Sequence, residues 1–436
     1  MSKLIQKIMR NGFLKKVTMV ASGTAIAQLI AILSTPIVAR LYGPEIMGVF
    51  GAFVAMANML TKVSGLTYPV SIVLPKRDNH AKLLIQGSLC ISIIIAFILL
   101  LLIIFFNEQI SNLFNLQEIQ SYLFLIPLIV VFSVMLQVSE QWLIRVQKFK
   151  LTAKATILKS LVVNSSKVGI GLFHPVAIVL ILLNVLNDVI HTLVIMNGLK
   201  PNIKKNLKLN RLKFIKIKVL LLKYKDFPLY RAPQELINGI STNLPVLLLT
   251  SFLGPVYAGY YTITRTVMKV PTELLSKSIG DVFYPHIVIT AKNKKSIFKP
   301  LFRLTLGLSV LGIGIFGVVF VFGPSIFKLI LGSEWLEAGY YARWLSIWFF
   351  FVFINRPSTK AIPLLKIQGP FLVYEIISGI LRLVAMTLGF IIYNNGLVAI
   401  IFLSLTSAFM NLLLIVMTHI YAMKFDKNNM KYSKET

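Results

Sequence analysis

Cysteine and acidic residues are the scarcest reactive groups in this sequence. The 436 residues include one cysteine, Cys90, and 15 aspartates and glutamates against 45 lysines and arginines. A single cysteine excludes an intrachain disulfide framework and a cysteine-based metal site. Because Cys90 lies inside an apolar run, we interpret it as a small core residue. Because acidic residues are so few, the formal net charge is +30. What this charge indicates about function depends on where the basic residues lie.

Charged residues of either sign are also few. They make up 14% of the chain, whereas soluble domains carry about 25%. Hydrophobic residues make up 56%, and the mean hydropathy is +0.79. Runs such as Gln86–Phe106 can cross a hydrocarbon core of about 30 Å as a helix. Transmembrane strands would instead appear as alternating segments of about ten residues. The sequence therefore predicts an all-α polytopic membrane protein.

The apolar runs predict about twelve transmembrane helices. The first run follows basic residues, as in a secretory leader, but similar runs recur throughout, so we expect a retained helix. The predicted spans are 17–39, 46–64, 82–106, 119–142, 152–173, 175–197, 228–251, 257–283, 299–322, 339–361, 370–392 and 396–422. They form an N-terminal half (1–199), a basic connector (200–227), and a C-terminal half with a basic tail (228–436).

Basic residues concentrate in the loops on one side of these helices. The loops on the side of the N-terminus contain Lys76, Arg77, Lys82, Arg145, Lys148, Lys150, Lys154, Lys292, Lys294, Lys295 and Lys299. The opposite loops contain mainly acids: Glu45, Glu108, Glu118, Glu334 and Glu337. By the positive-inside rule, both termini are cytoplasmic. The net charge therefore reflects topology. A nucleic-acid partner is disfavoured because the bases are spread along a membrane chain.

The connector is the most basic segment. Lys200–Lys225 contains ten basic residues and no acidic one. Apolar residues interleave with the bases in a pattern that fits a helical stripe and, in places, β alternation, so its conformation stays open. A basic amphipathic segment on the inner face would bind anionic lipid. The alternative is a solvated linker that only sets topology.

Two short turns of the form Gly-Pro-x-x-x-Gly indicate an internal duplication. They occur in LYGPEIMGVF, with Gly43, Pro44 and Gly48, and in FLGPVYAGYY, with Gly254, Pro255 and Gly259. Glycine and proline break a helix and fit a tight turn between antiparallel neighbours. A second echo pairs residues 68–76 with 284–292. We therefore predict two six-helix halves related by a pseudo-twofold repeat around a central cavity, with a substrate path between them.

The sequence resembles the polysaccharide transporter branch of the multidrug/oligosaccharidyl-lipid/polysaccharide (MOP) exporter superfamily. The resemblance is carried by TPIVARLYGPEIMGVFGAF, by DFPLYRAPQELINGISTNLPVLLLTSFLGPVYAGYYTITRTVMKVP and by SKSIGDVFYPHI. The resemblance is to Wzx-type flippases for O-antigen and capsule repeat units. It implies a bacterial cytoplasmic-membrane protein that moves undecaprenyl-pyrophosphate-linked oligosaccharide to the outer leaflet. It also implies polysaccharide polymerase machinery as a further partner, and no cofactor, metal or catalytic activity.

Charged residues inside the predicted helices mark the candidate substrate path. A charge at the bilayer centre costs at least about 2.5–3.5 kcal/mol, so such residues usually line water or form pairs. On the eighth helix we expect Arg265 and Lys269 to hold pyrophosphate and acidic sugars, and Lys277 and Asp281 to be interfacial. The candidate cationic residues are Arg265, Lys269, Lys159, Lys167, Arg382 and Arg231. The alternative role for these polar side chains is interhelical hydrogen bonding, worth about 0.6 kcal/mol per contact.

Energy for transport has to come from a gradient or from the downhill substrate, because the sequence contains no P-loop. Asp188, Glu235 and Glu375 are the ion-coupling candidates, since a buried carboxylate can cycle between its protonated and ionised forms. His191 lies one turn from Asp188 and could share its proton. Structural ion pairing is the alternative role, and Glu235 could pair with Arg231.

Two other functions stay open. A small-molecule antiporter of the related multidrug branch would take organic cations and favour an acidic, aromatic pocket, whereas the predicted path is rich in cations that suit phosphates. A membrane polymerase would need a reactive cluster, but the predicted outer loops are short and none contains a cluster of His, Asp and Glu.

Overall fold

The computed structural model describes residues 12–197, 211–293 and 295–432, and the regular elements in these ranges are all helical. Within them, eight helices are long and apolar enough to cross a membrane by length and composition. The prediction of an all-α membrane protein is confirmed, and lipid imposes it because a helix satisfies its own backbone groups. The predicted basic N-terminus (1–11), Lys294, residues 198–210 of the connector and the end of the tail (433–436) lie outside the described residues.

The first compact unit, Met1–Ala258, carries eight helices in its described part. They are α1 (Gly12–Thr61), α2 (Tyr68–Ser71), α3 (Asp78–Phe114), α4 (Ile126–Arg145), α5 (Phe149–Gly171), α6 (Ala177–Asn197), α7 (Arg211–Lys223) and α8 (Ala232–Leu253). A 3-10 helix, Gln117–Leu125, precedes α4, and a π-helical turn, Phe227–Arg231, precedes α8. Helix α1 contains the first two predicted spans, which are separated by a kink at Gly43 (φ 69°, ψ 173°).

The second compact unit is Gly259–Thr436, and α9 (Pro255–Lys292) runs into it. Its other helices are α10 (Phe298–Leu331), α11 (Leu336–Ile354), α12 (Arg356–Leu365), α13 (Gln368–Tyr393) and α14 (Gly396–Tyr432). The predicted span 339–361 is in fact two helices. Helix α11 ends at Ile354, and α12 begins at Arg356 with Pro357 in its first turn. Proline has no N–H with which to continue the preceding helix, so the two helices are separate.

Helix α8 belongs by sequence to the C-terminal half, yet it packs inside the first compact unit. A Cβ on Gly239 would lie 3.3 Å from Cγ of Lys62 at the end of α1. The compact units therefore divide the chain after α8 and not at the connector. The halves 1–199 and 228–436 describe a duplication of sequence, and their boundaries stay a prediction.

Small residues allow close helix crossings within each unit, as is common between membrane helices. In the first unit, a Cβ on Gly23 would lie 2.7 Å from Cβ of Ala153, which brings α1 and α5 together. In the second unit, a Cβ on Gly339 would lie 2.4 Å from Cα of Pro324 and so would overlap the backbone of α10. These crossings position the polar side chains of α5 and α11 beside their neighbours.

Candidate functional site

The first unit brings four ionisable side chains together from three helices. We call Glu140, Lys159, Asp188 and His191 the N-terminal polar cluster. Oε1 of Glu140 on α4 lies 3.8 Å from Nδ1 of His191 on α6, which is too long for a hydrogen bond. The charge of Lys159 on α5 acts on the other three members. The cluster therefore contains three groups that can bind and release a proton, next to one cation.

His191 is the most buried member of this cluster. Its side chain is 3% exposed, and within the described ranges neither ring nitrogen has a hydrogen-bond partner. Asp188, one turn away, accepts a hydrogen bond of 3.0 Å from Nδ2 of Asn187. A buried imidazole without partners has unused capacity to donate and accept. The sequence analysis suggested that His191 could share a proton with Asp188, and this stays a prediction; the structure places Glu140, from another helix, 3.8 Å from His191.

Glu140 is the residue that the sequence analysis missed. It lies within the predicted span 119–142, where a carboxylate is costly, so the criterion applied to the other helices would have found it. The charge of Asp188 acts on it as well. Its partners come from α5 and α6, and helical spacing alone could not have shown this.

Lys167, the second predicted cation of α5, lies beside an aromatic ring. Its Nζ is 5.3 Å from the centroid of Phe50, and its backbone carbonyl accepts a hydrogen bond of 3.0 Å from the hydroxyl of Tyr42. The charge of Lys159 acts on Lys167 as well. Lys159 and Lys167 on α5 therefore lie close enough for their charges to interact.

Glu235 and Arg231 do not join the N-terminal polar cluster. The carboxylate of Glu235 lies 3.6 Å from Nζ of Lys62 on α1, and both side chains are partly exposed. Its ion partner is thus Lys62, and the expected pairing with Arg231 is wrong. Arg231 ends the π-helical turn before α8 and is exposed. The structure therefore gives Glu235 a pairing role between α1 and α8.

The second unit brings two predicted cations, Arg265 of α9 and Arg382 of α13, to the same tyrosine. Tyr261 is fully buried, and the charges of both arginines act on its hydroxyl group. The guanidinium of Arg382 also lies 5.8 Å from the ring centroid of Trp348 on α11. We call Tyr261, Arg265, Trp348 and Arg382 the C-terminal cationic cluster. It places two positive charges among aromatic side chains.

Several donors of this cluster have no hydrogen-bond partner among the residues that the structure describes. They are the Tyr261 hydroxyl, Nε of Arg382 and Nε1 of Trp348, all buried. A buried polar group without a partner is costly, so such groups usually bind water or a ligand. Because guanidinium, phenol and indole groups all donate, the cluster suits an anionic ligand with many acceptor oxygens.

The remaining predicted residues of α9 and α13 surround this cluster. Lys269, one turn after Arg265, is half-buried, and its carbonyl accepts a hydrogen bond of 2.6 Å from Thr272. The charge of Glu375 acts on Arg382. Glu273 acts on Arg356, a cation at the start of α12 that the sequence analysis did not single out. The side chains of Lys277 and Asp281 lie outside the described residues.

No metal site emerges in the described ranges. None of their His, Cys, Asp and Glu side chains form a group of three or more that could hold a metal ion.

The residues of the two Gly-Pro turns occupy equivalent positions in the structure. Gly43 and Gly254 both have positive φ, Pro44 and Pro255 follow them, and Gly48 and Gly259 are buried one turn later.

The fold is similar to those of known transporters. An inward-facing multidrug resistance MATE family transporter of the MOP superfamily superposes with a TM-score of 0.71 at 13% identity, over 92% of this chain and 96% of that one. A MATE protein in complex with MaL6 gives 0.60 at 14% identity, over 97% and 99%. A MOP superfamily transporter from Pyrococcus furiosus, whose title notes a binding pocket of reverse polarity, gives 0.55 at 12% identity, over 96% and 98%.

At the sequence level, no curated protein matches this chain. A family model described as polysaccharide biosynthesis protein matches residues 37–340, well over half of the 436 residues. That range contains the turns at Gly43 and Gly254, both lysines of α5, the N-terminal polar cluster and Arg265. This match shows that the chain belongs to the polysaccharide biosynthesis protein family, and its fold is similar to that of MATE transporters.

Proposed function

We propose that this protein is a flippase that moves undecaprenyl-pyrophosphate-linked oligosaccharide repeat units across the bacterial cytoplasmic membrane by alternating access. The polymer built from them is O-antigen, capsule or another surface polysaccharide. Both termini lie in the cytoplasm, as the basic loops indicate. The delivered repeat unit is then the substrate of polysaccharide polymerase machinery.

The observation that carries this proposal is the set of buried donors in the C-terminal cationic cluster: the Tyr261 hydroxyl and Nε of Arg382 have no hydrogen-bond partner among the described residues. A pyrophosphate has several acceptor oxygens and negative charge, which match two guanidinium groups and a phenol donor. A membrane charge that is kept at a cost needs a function or a counter-ion. The C-terminal cationic cluster would supply the headgroup site, and Lys269, one turn after Arg265, would add positive charge for acidic sugars. Lys159 and Lys167 of the first unit stay candidate substrate-binding cations.

The N-terminal polar cluster is the proposed coupling site. Glu140, Asp188 and His191 can each bind and release a proton, and Oε1 of Glu140 lies 3.8 Å from Nδ1 of His191. Proton binding there would link transport to the gradient. Glu375, beside Arg382, is the remaining coupling candidate of the second unit, whereas Glu235 already has Lys62 as its ion partner.

An ion-coupled antiporter of small organic molecules is the second candidate. The fold is that of multidrug MATE transporters, and the pair Glu140 and Asp188 would suit a cationic substrate. The C-terminal cationic cluster argues against it, because two arginines repel a cation. The two candidates therefore differ in the sign of the substrate charge.

Complementation of a gene deletion tests the proposal. Deletion should cause undecaprenyl-linked repeat units to accumulate on the cytoplasmic side and surface polymer to be lost. Arg265→Ala and Arg382→Ala should restore less than about a tenth of the polymer, because each removes a charge-assisted bond worth about 1.5–3 kcal/mol. Lysine at either position should restore part, since it keeps charge but not the bidentate geometry.

Arg303→Ala is the matched control. Arg303 is exposed on α10, so full complementation is expected. Variant amounts in the membrane are measured in parallel to separate loss of function from loss of protein. Normal surface polymer in the deletion strain, together with altered sensitivity to cationic drugs, would replace this proposal with the multidrug antiporter.

A further inference from the structure

Helix α7, in the basic connector, docks on α3 through one apolar face. Ile217 and Leu220 are 4% and 8% exposed. A Cβ on Gly87 of α3 would lie 3.1 Å from both Cγ2 of Ile217 and Cδ2 of Leu221. The hydroxyl of Tyr68 donates a hydrogen bond of 3.0 Å to the carbonyl of Leu221. The connector is therefore a helix here, seated on the bundle by residues spaced i, i+3 and i+4.

The opposite face of α7 is also apolar, but its side chains are largely exposed. Ile215, Val219 and Leu222 are 66%, 61% and 59% exposed. Their spacing of i, i+4 and i+7 places them on one stripe, on the side of the helix away from Ile217 and Leu220. A merely solvated linker has no need for such a stripe. The helix is thus apolar towards the bundle and apolar towards its surroundings.

Lysines border the exposed stripe on both sides. Lys216 and Lys223 lie on one flank and Lys218 and Lys225 on the other, each pair separated by seven residues, and all four are exposed. Between Lys200 and Lys225 the sequence contains no acid, and Asp226 is the first to follow. A long lysine side chain can reach outwards from an apolar surface to a polar one. This arrangement is electrostatically complementary to a negatively charged surface.

The docking position of α7 sets its depth. Its partners on α3 include Ala81, Leu84 and Gly87, which lie in the first turns after Asp78. The long apolar run of α3, residues 86–106, begins beside the last of them. Helix α7 therefore lies beside the polar end of a membrane span. There the lysines can reach headgroups and the apolar stripe can reach acyl chains.

We propose that α7 is an interfacial anchor that binds anionic phospholipid of the inner leaflet. Ile215, Val219 and Leu222 insert among the acyl chains, and the flanking lysines bind the headgroups. This inference does not depend on what the protein transports. It explains why a connector between two helical halves has an apolar stripe and four exposed lysines, which topology alone would not require.

Site-specific fluorescence on the full-length protein tests the depth. In a Cys90→Ser background, Val219→Cys is labelled with an environment-sensitive dye and reconstituted into nanodiscs of phosphatidylcholine and phosphatidylglycerol. Nitroxide groups on the acyl chains should quench the dye, and iodide should not. Asn79→Cys, an exposed position at the start of α3, is the matched control and should be quenched by iodide. Equal iodide quenching at both positions would overturn the proposal.

The lysines are tested separately by replacing Lys216, Lys218, Lys223 and Lys225 with glutamine. Energy transfer from the dye at position 219 to fluorescent lipids measures the preference for phosphatidylglycerol over phosphatidylcholine. Each lysine near an anionic surface contributes on the order of fivefold, so the preference should fall by at least about tenfold. Glutamine at Lys148, Lys150 and Lys154, another basic group, should change it little. An unchanged preference, or shielding of position 219 only in native membranes, which would indicate a protein partner, would contradict the proposal.

Discussion

Gly43 and Gly254 adopt nearly the same unusual backbone conformation although they are 211 residues apart (254 − 43). Their angles are φ 69°, ψ 173° and φ 91°, ψ 173°. This region of backbone space is essentially limited to glycine. In both cases a proline follows at once and opens the next helix. The two turns are therefore alike in geometry as well as in sequence, as a duplicated unit requires.

Gly254→Ala should destabilise the protein through backbone strain alone. A Cβ at this position meets no atom within 4 Å, so sterics with neighbours do not contribute. The positive φ should cost about 1–3 kcal/mol in the free energy of unfolding, measured by equilibrium unfolding in mixed micelles. Gly314→Ala is the control, because Gly314 lies inside α10 and also has open space. It should be neutral or stabilise by up to about 1 kcal/mol. Equal effects would refute the strain argument.

Gly339→Ala should weaken the crossing of α10 and α11. The new Cβ would lie 2.4 Å from Cα of Pro324 and 2.8 Å from the carbonyl oxygen of Gly323, and backbone atoms cannot rotate away. We expect a loss of about 1–3 kcal/mol in the same unfolding assay. Gly317→Ala, on α10 with no atom within 4 Å, is the matched control and should not lose stability. A stable Gly339→Ala variant would show that the two helices can separate at little cost.

Arg145→Ala should cost more stability than Asp78→Asn. Arg145 donates to Oδ1 of Asp78 at 2.9 Å, and its Nη1 also donates to the carbonyls of Ile72 and Val73 at 3.2 and 3.4 Å. Removing the guanidinium deprives two partly buried carbonyls of their donor, which should cost about 1–3 kcal/mol. Asp78 is largely exposed, so losing only the ion pair should cost less than about 1 kcal/mol. Thermal unfolding in detergent distinguishes the two. Equal losses would mean that the ion pair carries the stability.

Asp188→Asn and Glu140→Gln should abolish gradient-dependent transport if the N-terminal polar cluster is the coupling site. Each amide keeps the shape of the side chain but cannot bind and release a proton. Transport into proteoliposomes with and without an imposed proton gradient measures the effect. Glu45→Gln is the control, because Glu45 is exposed after the turn at Gly43. Normal gradient dependence in both variants would leave the cluster a structural role in packing α4 on α6.

The sequence by itself determined the class of protein, an all-helical membrane protein, and the places of the two turns. Lipid leaves the backbone no choice but to satisfy its own hydrogen bonds, so an apolar run of about 20 residues specifies a membrane helix. The positive φ of Gly43 and Gly254 follows equally directly from residue type. Arg265, Lys159 and Asp188 were also visible in the sequence, since charge within an apolar run stands out.

Only the tertiary structure decided which of these side chains meet. A membrane helix can be apolar on every face, so periodicity does not show which face contacts a neighbour. The sequence therefore could not pair Glu140 with His191, bring Arg382 to Tyr261, or give Lys62 to Glu235. It could not show either that α7 buries Ile217 and exposes Val219. These contacts join residues far apart in the chain, and helix packing alone sets them.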